Sequence, residues 1–276
     1  MRIDAHQHYW KLGRGDYDWL TPDISVIYRN FLPEDLEPHL GNRNINGTIL
    51  VQAAPTLAET DFILSISEKT DTVFGVVGWL DLTDPNFKRE FERLRHYSKF
   101  VGIRLMIQDM ADLSRVLESD YIQALSYFSE LDFPVDLLVT SDQLPVLVNL
   151  LERVPDLRGV VDHLAKPKIE SGVMEPWKRY LSEIAAHPNI YCKLSGMVTE
   201  ADHRNWKVSD FIPYVQHIIN EFGTERIMYG SDWPVCLQAA PYEGVYDLLC
   251  ECLPTNMTAH EKSNLFGLNA KRFYRF

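Results

Sequence analysis

The chain has 276 residues, of which 46% are hydrophobic and 24% charged, an ordinary composition for a soluble globular protein. Its 27 basic and 39 acidic residues give a net charge of −12, which argues against a nucleic-acid-binding surface and against binding to anionic membranes. No apolar run approaches the length of a membrane span, and no signal-peptide pattern precedes the first strand. We therefore expect a soluble, cytoplasmic protein.

The cysteines carry no sign of a metal cluster or a catalytic thiol. Cys192, Cys236, Cys250 and Cys252 form no C-x-x-C pair, and we expect reduced thiols. Cys192 lies in an apolar strand and is predicted to be buried. Cys236 has no neighbouring group that would activate it as a nucleophile.

The N-terminal stretch Asp4-Ala-His-Gln-His8 lies at the end of a short predicted strand, Arg2 to Ala5. Side chains alternate across a strand, so His6 and His8 project from the same face, one pleat apart. Two imidazoles in this arrangement can bind one metal ion or clamp one substrate oxygen. The pair therefore marks a candidate site at the first strand end.

Apolar strand-like runs alternate with helical-period runs along the whole chain. Most of the strand-like runs are continuous and β-branched, as expected for strands buried on both faces of a parallel sheet. Seven follow the first strand: Gly47–Gln52, Val73–Leu80, Phe100–Met106, Pro134–Val139, Arg158–Leu164, Ile190–Ser195 and Arg226–Asp232. Helices are predicted over Asn86–Tyr97, Gln143–Val154 and Trp206–Phe222, with a capping box at Thr258 and Glu261 for a last helix.

Eight strands alternating with helices predict an α/β fold, a (β/α)8 TIM-type barrel formed by residues 1–276 as a single domain. The alternative is an open doubly wound sheet, but no glycine-rich phosphate-binding motif follows any strand. The segment 9–40 contains Trp10, Tyr17, Trp19 and several turn residues. We expect it to form an extended loop over the barrel top.

Active sites of such barrels lie at the C-terminal ends of the strands, where this chain concentrates its ionisable residues. Because buried charges are costly, this many ionisable groups beside apolar strands are expected to form ion pairs or to bind a ligand. The strand-end residues, in chain order, are His6, His8, Gln52, Trp79, Arg104, Asp136, Asp162, His163, Lys193, Ser195, Asp232 and Trp233.

The sequence motifs at these strand ends resemble those of the amidohydrolase superfamily, and more closely those of its amidohydrolase 2 branch. That branch includes sugar lactonases of the L-fuconolactonase, L-rhamnonolactonase and 2-pyrone-4,6-dicarboxylate lactonase group. The resemblance covers nearly the whole chain in order. Its motifs are Asp4–His8, Gly47–Ala53, Gly75–Leu82, Gly102–Arg104, Asp162–Pro167, Lys193–Gly196, Gly230–Val235 and Asn269–Tyr274.

This chain differs from the two-metal members of the superfamily at two positions that bear on metal binding. Two-metal members of the superfamily place a bridging Lys or Glu at strand four and a His ligand at strand five, whereas this chain has Arg104 and Asp136. The resemblance therefore implies at most one divalent metal, zinc or manganese, on His6, His8 and Asp232. The resemblance also implies that some lactonases of the branch work without a metal, so a site without any metal is the alternative.

Three residues are predicted to be catalytic. Asp232 would act as the general base, with a structural turn Asp as the alternative. His163 would polarise the lactone carbonyl or bind the attacking water, unless it is satisfied by backbone at the rim. Lys193 would contact the substrate or the oxyanion, with a buried ion pair to Asp136 as the alternative.

The substrate-binding residues are predicted to be Arg104, Gln52, Trp79, Ser195, Trp233 and Asp136. Arg104 suits a carboxylate or vicinal hydroxyl groups, although a salt bridge across the barrel would also explain it.

The predicted function is hydrolysis of a small sugar lactone to its sugar acid. One alternative is a metal-dependent amide hydrolase or decarboxylase on the same fold, and another is a non-catalytic sugar-acid-binding protein. The expected partner is a small molecule, and a homo-oligomer is compatible with the sequence.

Overall fold

A computed structural model describes all residues, 1–276, and forms one eight-stranded barrel of parallel strands in chain order. The strands are β1 Ile3–Gln7, β2 Gly47–Val51, β3 Val73–Gly78, β4 Phe100–Met106, β5 Val135–Leu138, β6 Gly159–Val161, β7 Ile190–Leu194 and β8 Ile227–Tyr229. The predicted (β/α)8 fold is confirmed.

Helices follow the strands and cover the outside of the barrel. They are α1 Pro33–Asn42, α2 Leu57–Ser67, α3 Phe87–Leu94, α4 Ser119–Glu130, α5 Leu144–Arg153, α6 Trp177–Ala185, α7 Val208–Phe222, α8 Tyr242–Cys252, α9 Ala259–Ser263 and α10 Asn269–Tyr274. The Thr258 hydroxyl accepts from the backbone of Glu261, as the predicted capping box requires. None of these helices is both long and apolar enough to cross a membrane.

The apolar core has two parts. A large cluster fills the space between strands and helices, as continuous apolar strands require. A smaller cluster lies inside the barrel, where inward-facing residues such as Ile49, Val77 and Met228 pack against Phe273 and Tyr274 of α10. The C-terminal helix therefore closes the barrel bottom and leaves the opposite end for the site.

Six strands are shorter than the sequence predicts, and the difference is largest, four residues each, for β6 and β8. β6 was expected to reach Leu164 but ends at Val161, because the backbone becomes left-handed at His163. β8 was expected to reach Asp232 but ends at Tyr229. Beyond it, the Asp232 N–H donates to the His6 carbonyl at 2.8 Å, and the His8 N–H donates to the Trp233 carbonyl at 2.8 Å. These two bonds join the last strand end to the first.

The first long connection is partly helical. α1 begins at Pro33, inside the segment predicted as an extended loop. The remaining loop is tied at its ends, where Trp10 and Phe31 exchange backbone hydrogen bonds of 2.9 and 3.0 Å. At its tip, the Trp19 indole N–H donates to the Ala53 carbonyl after β2. The loop therefore borders the upper end of the barrel.

Candidate active site

Three nitrogen and oxygen atoms converge at the top of β1. His6 Nε2 lies 3.2 Å from His8 Nε2 and 3.8 Å from Asp232 Oδ1, and His8 Nε2 lies 3.3 Å from the same oxygen. All three side chains are buried. The His-x-His pair is thus completed from the far end of the chain.

The donor set fits a single divalent ion. Ligand atoms about 2.0–2.1 Å from a tetrahedral ion lie about 3.4 Å apart, close to the spacing here. His8 Nδ1 donates to the Val51 carbonyl at 2.8 Å, which leaves its Nε2 as a bare lone pair. His6 Nδ1 lies 3.3 Å from Asp162 Oδ1 and 3.2 Å from the Lys193 ammonium. The His8 lone pair, the Asp232 carboxylate and His6 Nε2 therefore face one point, where a cation would satisfy them.

Local backbone geometry aims Asp232 into the site. Asp232 adopts a left-handed conformation with φ of 58°, just beyond β8. Two residues earlier, Gly230 passes so close to β1 that a Cβ atom would lie 2.7 Å from the Cβ of His6. Burial raises the pKa of Asp232, but His163 and His8 outweigh it and hold this pKa below its usual value. The carboxylate is therefore ionised at neutral pH.

His163 lies on the opposite side of Asp232. Its Nδ1 pairs with the Ser195 hydroxyl at 2.9 Å, and its Nε2 lies 3.8 Å from Asp232 Oδ1. Burial holds the pKa of His163 well below its usual value, so the ring is neutral. Gly196 makes room for the ring, since a Cβ atom there would lie 2.6 Å from His163 Nδ1. Ser195, predicted to bind substrate, contacts His163 and does not line the cavity.

Lys193 lies beneath the site, not in it. This fully buried ammonium contacts Asp136 and lies 3.1 Å from Asp162 Oδ1 and 3.2 Å from His6 Nδ1. Tyr274 of α10 donates to the other Asp136 oxygen at 2.7 Å. The geometry is that of the ion pair named as the alternative, and neither Lys193 nor Asp136 borders the cavity.

Arg104 reaches the cavity from β4. Its guanidinium donates to both the backbone and the side-chain oxygen of Gln52, and it lies 3.7 Å from Asp162 Oδ2. Burial raises the pKa of Asp162, but Lys193 and other nearby cations outweigh it and hold this pKa below its usual value. Gln52, predicted to bind substrate, holds the Arg104 guanidinium and does not line the cavity.

A cavity of about 530 Å³ opens above these residues, within the usual range for small-ligand sites. Of the predicted residues, His8, Arg104, His163 and Asp232 line it. Trp233 and Trp79, the two aromatic residues predicted to bind substrate, do not line the cavity. Trp233 is buried against Phe31, with ring centroids 5.1 Å apart.

Several lining residues were not predicted. They come from the loops beyond the strands, where no periodic pattern signals position, although Lys166 stood within the Asp162–Pro167 motif. The charged and polar ones are Asp16, Asp18, Gln108, Asp109, Lys166, Thr199, Glu200, His203 and Gln238, and the Trp19 ring joins them.

The chain resembles known proteins over nearly its whole length. A profile of the family described as "Amidohydrolase" matches residues 3–276. The chain is 39% identical to a protein of Burkholderia ambifaria named L-fucono-1,5-lactonase, over 100% of this chain and 96% of the relative. It is 34% identical to a protein of Burkholderia multivorans named L-fucono-1,5-lactonase, over 99% of this chain and 96% of the relative.

A solved structure extends the likeness to the fold. It is the crystal structure of an amidohydrolase from Burkholderia multivorans with bound zinc, 35% identical. The TM-score is 0.93, and the match covers 100% of this chain and 99% of the other.

Proposed function

This chain belongs to the amidohydrolase family, and we propose that it is a lactonase that opens a sugar lactone of the aldono-1,5-lactone type to the sugar acid. The observation that carries the proposal is the Asp232 carboxylate, ionised and facing a cavity of about 530 Å³ beside His8 and His163. Full-length similarity to two proteins named L-fucono-1,5-lactonase supports the substrate class.

Asp232 acts as the general base in this proposal. It accepts a proton from water as the water oxygen attacks the lactone carbonyl carbon. When the ring C–O bond breaks, the protonated Asp232 returns this proton to the ring oxygen, which leaves as a hydroxyl group. The carboxylic acid formed then releases its own proton to solvent.

His163 stabilises the carbonyl oxygen. Ser195 donates its hydroxyl proton to His163 Nδ1, so that Nε2 carries the hydrogen and faces the cavity. A neutral imidazole N–H can donate to the carbonyl oxygen as negative charge develops there. Burial, which holds the pKa of His163 well below its usual value, keeps the ring in this neutral form.

His6, His8 and Asp232 would hold one divalent ion, and zinc is supported by the zinc-bound relative of known structure. A bound ion supplies Lewis acidity to the reacting oxygen atoms. A second group of potential ligands, His6, Asp162 and His163, shares His6 with the first. Its Asp162 is already paired with Lys193, so the ammonium takes the place of a second cation.

The cavity rim suits a polyhydroxylated ring. Asp16, Asp18, Asp109 and Glu200 line it, and carboxylates accept hydrogen bonds from hydroxyl groups. Arg104 would donate to ring substituents from the opposite side. This rim distinguishes sugar lactones from apolar cyclic esters as substrates.

A panel of γ- and δ-aldonolactones, assayed with a pH indicator, tests the proposal because ring opening releases acid. Matched aldonamides, followed by ammonia release, and hydroxybenzoates, followed by carbon dioxide release, test the amide hydrolase and decarboxylase alternatives. Enzyme-free samples correct for spontaneous lactone hydrolysis. We expect L-fucono-1,5-lactone or a close stereoisomer to be turned over fastest. Failure to accelerate any lactone would overturn the proposal, and tight binding without turnover would favour a sugar-acid-binding protein.

A further inference from the structure

The segment after β6 is a left-handed turn, His163–Lys166, made without glycine. His163, Leu164, Ala165 and Lys166 have φ angles of 53°, 53°, 57° and 48°. Each residue with a Cβ atom is disfavoured in this conformation, and four in succession are rare. Such strain persists only where the surrounding structure over-determines it, and it concentrates at functional sites.

The turn is held from three directions. The Trp177 indole N–H donates to the Leu164 carbonyl at 2.6 Å, and the Lys166 N–H donates to the His163 carbonyl at 2.7 Å. His163 is fixed in turn by Ser195. As a result, the first and last residues of the turn, His163 and Lys166, both border the cavity, whereas Leu164 and Ala165 are buried behind them.

Lys166 is the pocket cation that the protein leaves free. Its ammonium has no hydrogen-bond acceptor and no carboxylate within 4.0 Å. By contrast, Arg104 is engaged by Gln52, and Lys168 on the same segment pairs with Asp142 at 2.9 Å. Lys166 is half-buried, with Asp232 and Glu200 also on the cavity wall. A free, partly desolvated ammonium beside the reacting groups is suited to an anionic oxygen of the ligand.

We propose that Lys166 is a further catalytic residue, which binds the carbonyl oxygen as it becomes charged and then the carboxylate of the sugar acid. This rests on the proposed lactone hydrolysis. A sugar lactone is neutral and its product is an anion, so the carboxyl end is where a cation discriminates between them. An ammonium is a compact point charge with three donors, which suits an oxygen whose geometry changes during the reaction.

The test is calorimetric binding of L-fuconate, the acid that L-fucono-1,5-lactone gives, and of L-fucitol, its uncharged polyol. We compare wild type with Lys166→Met and Lys166→Gln, and use Lys168→Met as the matched control. Losing one charge-assisted hydrogen bond lowers an affinity or a rate constant about ten- to hundredfold. We expect Lys166 variants to lose fuconate affinity and kcat on this scale, to keep fucitol affinity within about twofold, and to melt as wild type.

Three results would overturn the proposal: a wild type that binds fuconate no better than fucitol, Lys166 variants with unchanged fuconate affinity, or variants that lose both ligands equally. Lys168→Met should match wild type throughout. Failure of the proposed function is distinguishable, because it would appear as absence of lactone turnover by wild type. Lys166-dependent fuconate binding in that case would still support a carboxylate-binding role.

Discussion

The backbone N–H of Asp232 donates to the carbonyl oxygen of His6, 2.8 Å away, and thereby joins the last strand end to the first. Residues 226 positions apart in the sequence meet in one cluster through this bond. The same junction requires glycine at position 230, which passes His6 at close range. The proposed metal ligands and the proposed general base therefore depend on closure of the barrel.

The first prediction concerns metal stoichiometry. Wild type dialysed against zinc should bind at most one equivalent, because Lys193 already neutralises Asp162 in the second ligand group. His8→Ala should lose this zinc. His203→Ala, which removes an imidazole from the cavity wall outside the cluster, should retain it. Elemental analysis is the measurement, and two equivalents in wild type would contradict the prediction.

Lys193→Ala should lower stability more than a lost substrate contact would. The substitution leaves the buried carboxylates of Asp136 and Asp162 without their ammonium partner. Removing one member of a buried ion pair typically costs about 3–5 kcal/mol. Thermal denaturation should therefore show a clearly lower melting temperature, whereas Lys168→Ala, which breaks an exposed pair, should not. A Lys193→Ala protein with wild-type melting temperature and reduced turnover would restore the original prediction of a substrate contact.

A comparison of Gly196→Ala with Gly172→Ala separates the effect of backbone strain from that of a collision with His163. Gly196 and Gly172 have similar positive φ angles, 60° and 68°, so alanine at either position is conformationally strained. Only at 196 would the new Cβ atom collide with a proposed catalytic residue, 2.6 Å from His163 Nδ1, since nothing lies within 4 Å at 172. We expect both variants to lose stability through backbone strain, Gly196→Ala the more because of the added collision, and a loss of turnover in Gly196→Ala alone. Equal kcat values would argue against a role for His163.

The barrel and part of the site could be predicted from the sequence because both follow short-range patterns. Apolar runs located the strands, and alternation placed His6 and His8 on one face. The level of a side chain along the barrel axis does not follow from such patterns, because it depends on the stagger between neighbouring strands. Lys193 faces the interior as predicted, but its level beside Met228 places it below the cavity. Lys166 escaped a functional assignment because a left-handed turn without glycine leaves no sequence signal.

Stability should depend on pH through Glu59, a fully buried carboxyl at the start of α2. Burial raises its pKa from 4.5 to about 8, against the opposing effect of a hydrogen bond from the Ala53 N–H. The folded state then keeps this proton to higher pH than the unfolded chain, so stability should fall as pH rises from about 4.5 to about 8.

Glu59→Gln removes this titration while keeping an acceptor for Ala53. Urea denaturation of both proteins at several pH values should show a growing advantage for the variant as pH rises through this window. Glu68→Gln, on the exposed C-terminal end of the same helix, should follow wild type. Parallel curves for wild type and Glu59→Gln would mean that Glu59 is already ionised in the fold.

The role of Asp232 is tested most directly by steady-state turnover of a responsive aldonolactone by Asp232→Asn, with and without excess zinc. The amide keeps the shape of the side chain and removes the basic oxygen. We expect turnover to fall about a hundredfold or more, the scale of general-base catalysis, with little change in binding and no recovery on adding zinc. Near-native turnover without added metal would remove Asp232 from the mechanism, and recovery with zinc would mean that Asp232 serves only to hold the metal and not as the base.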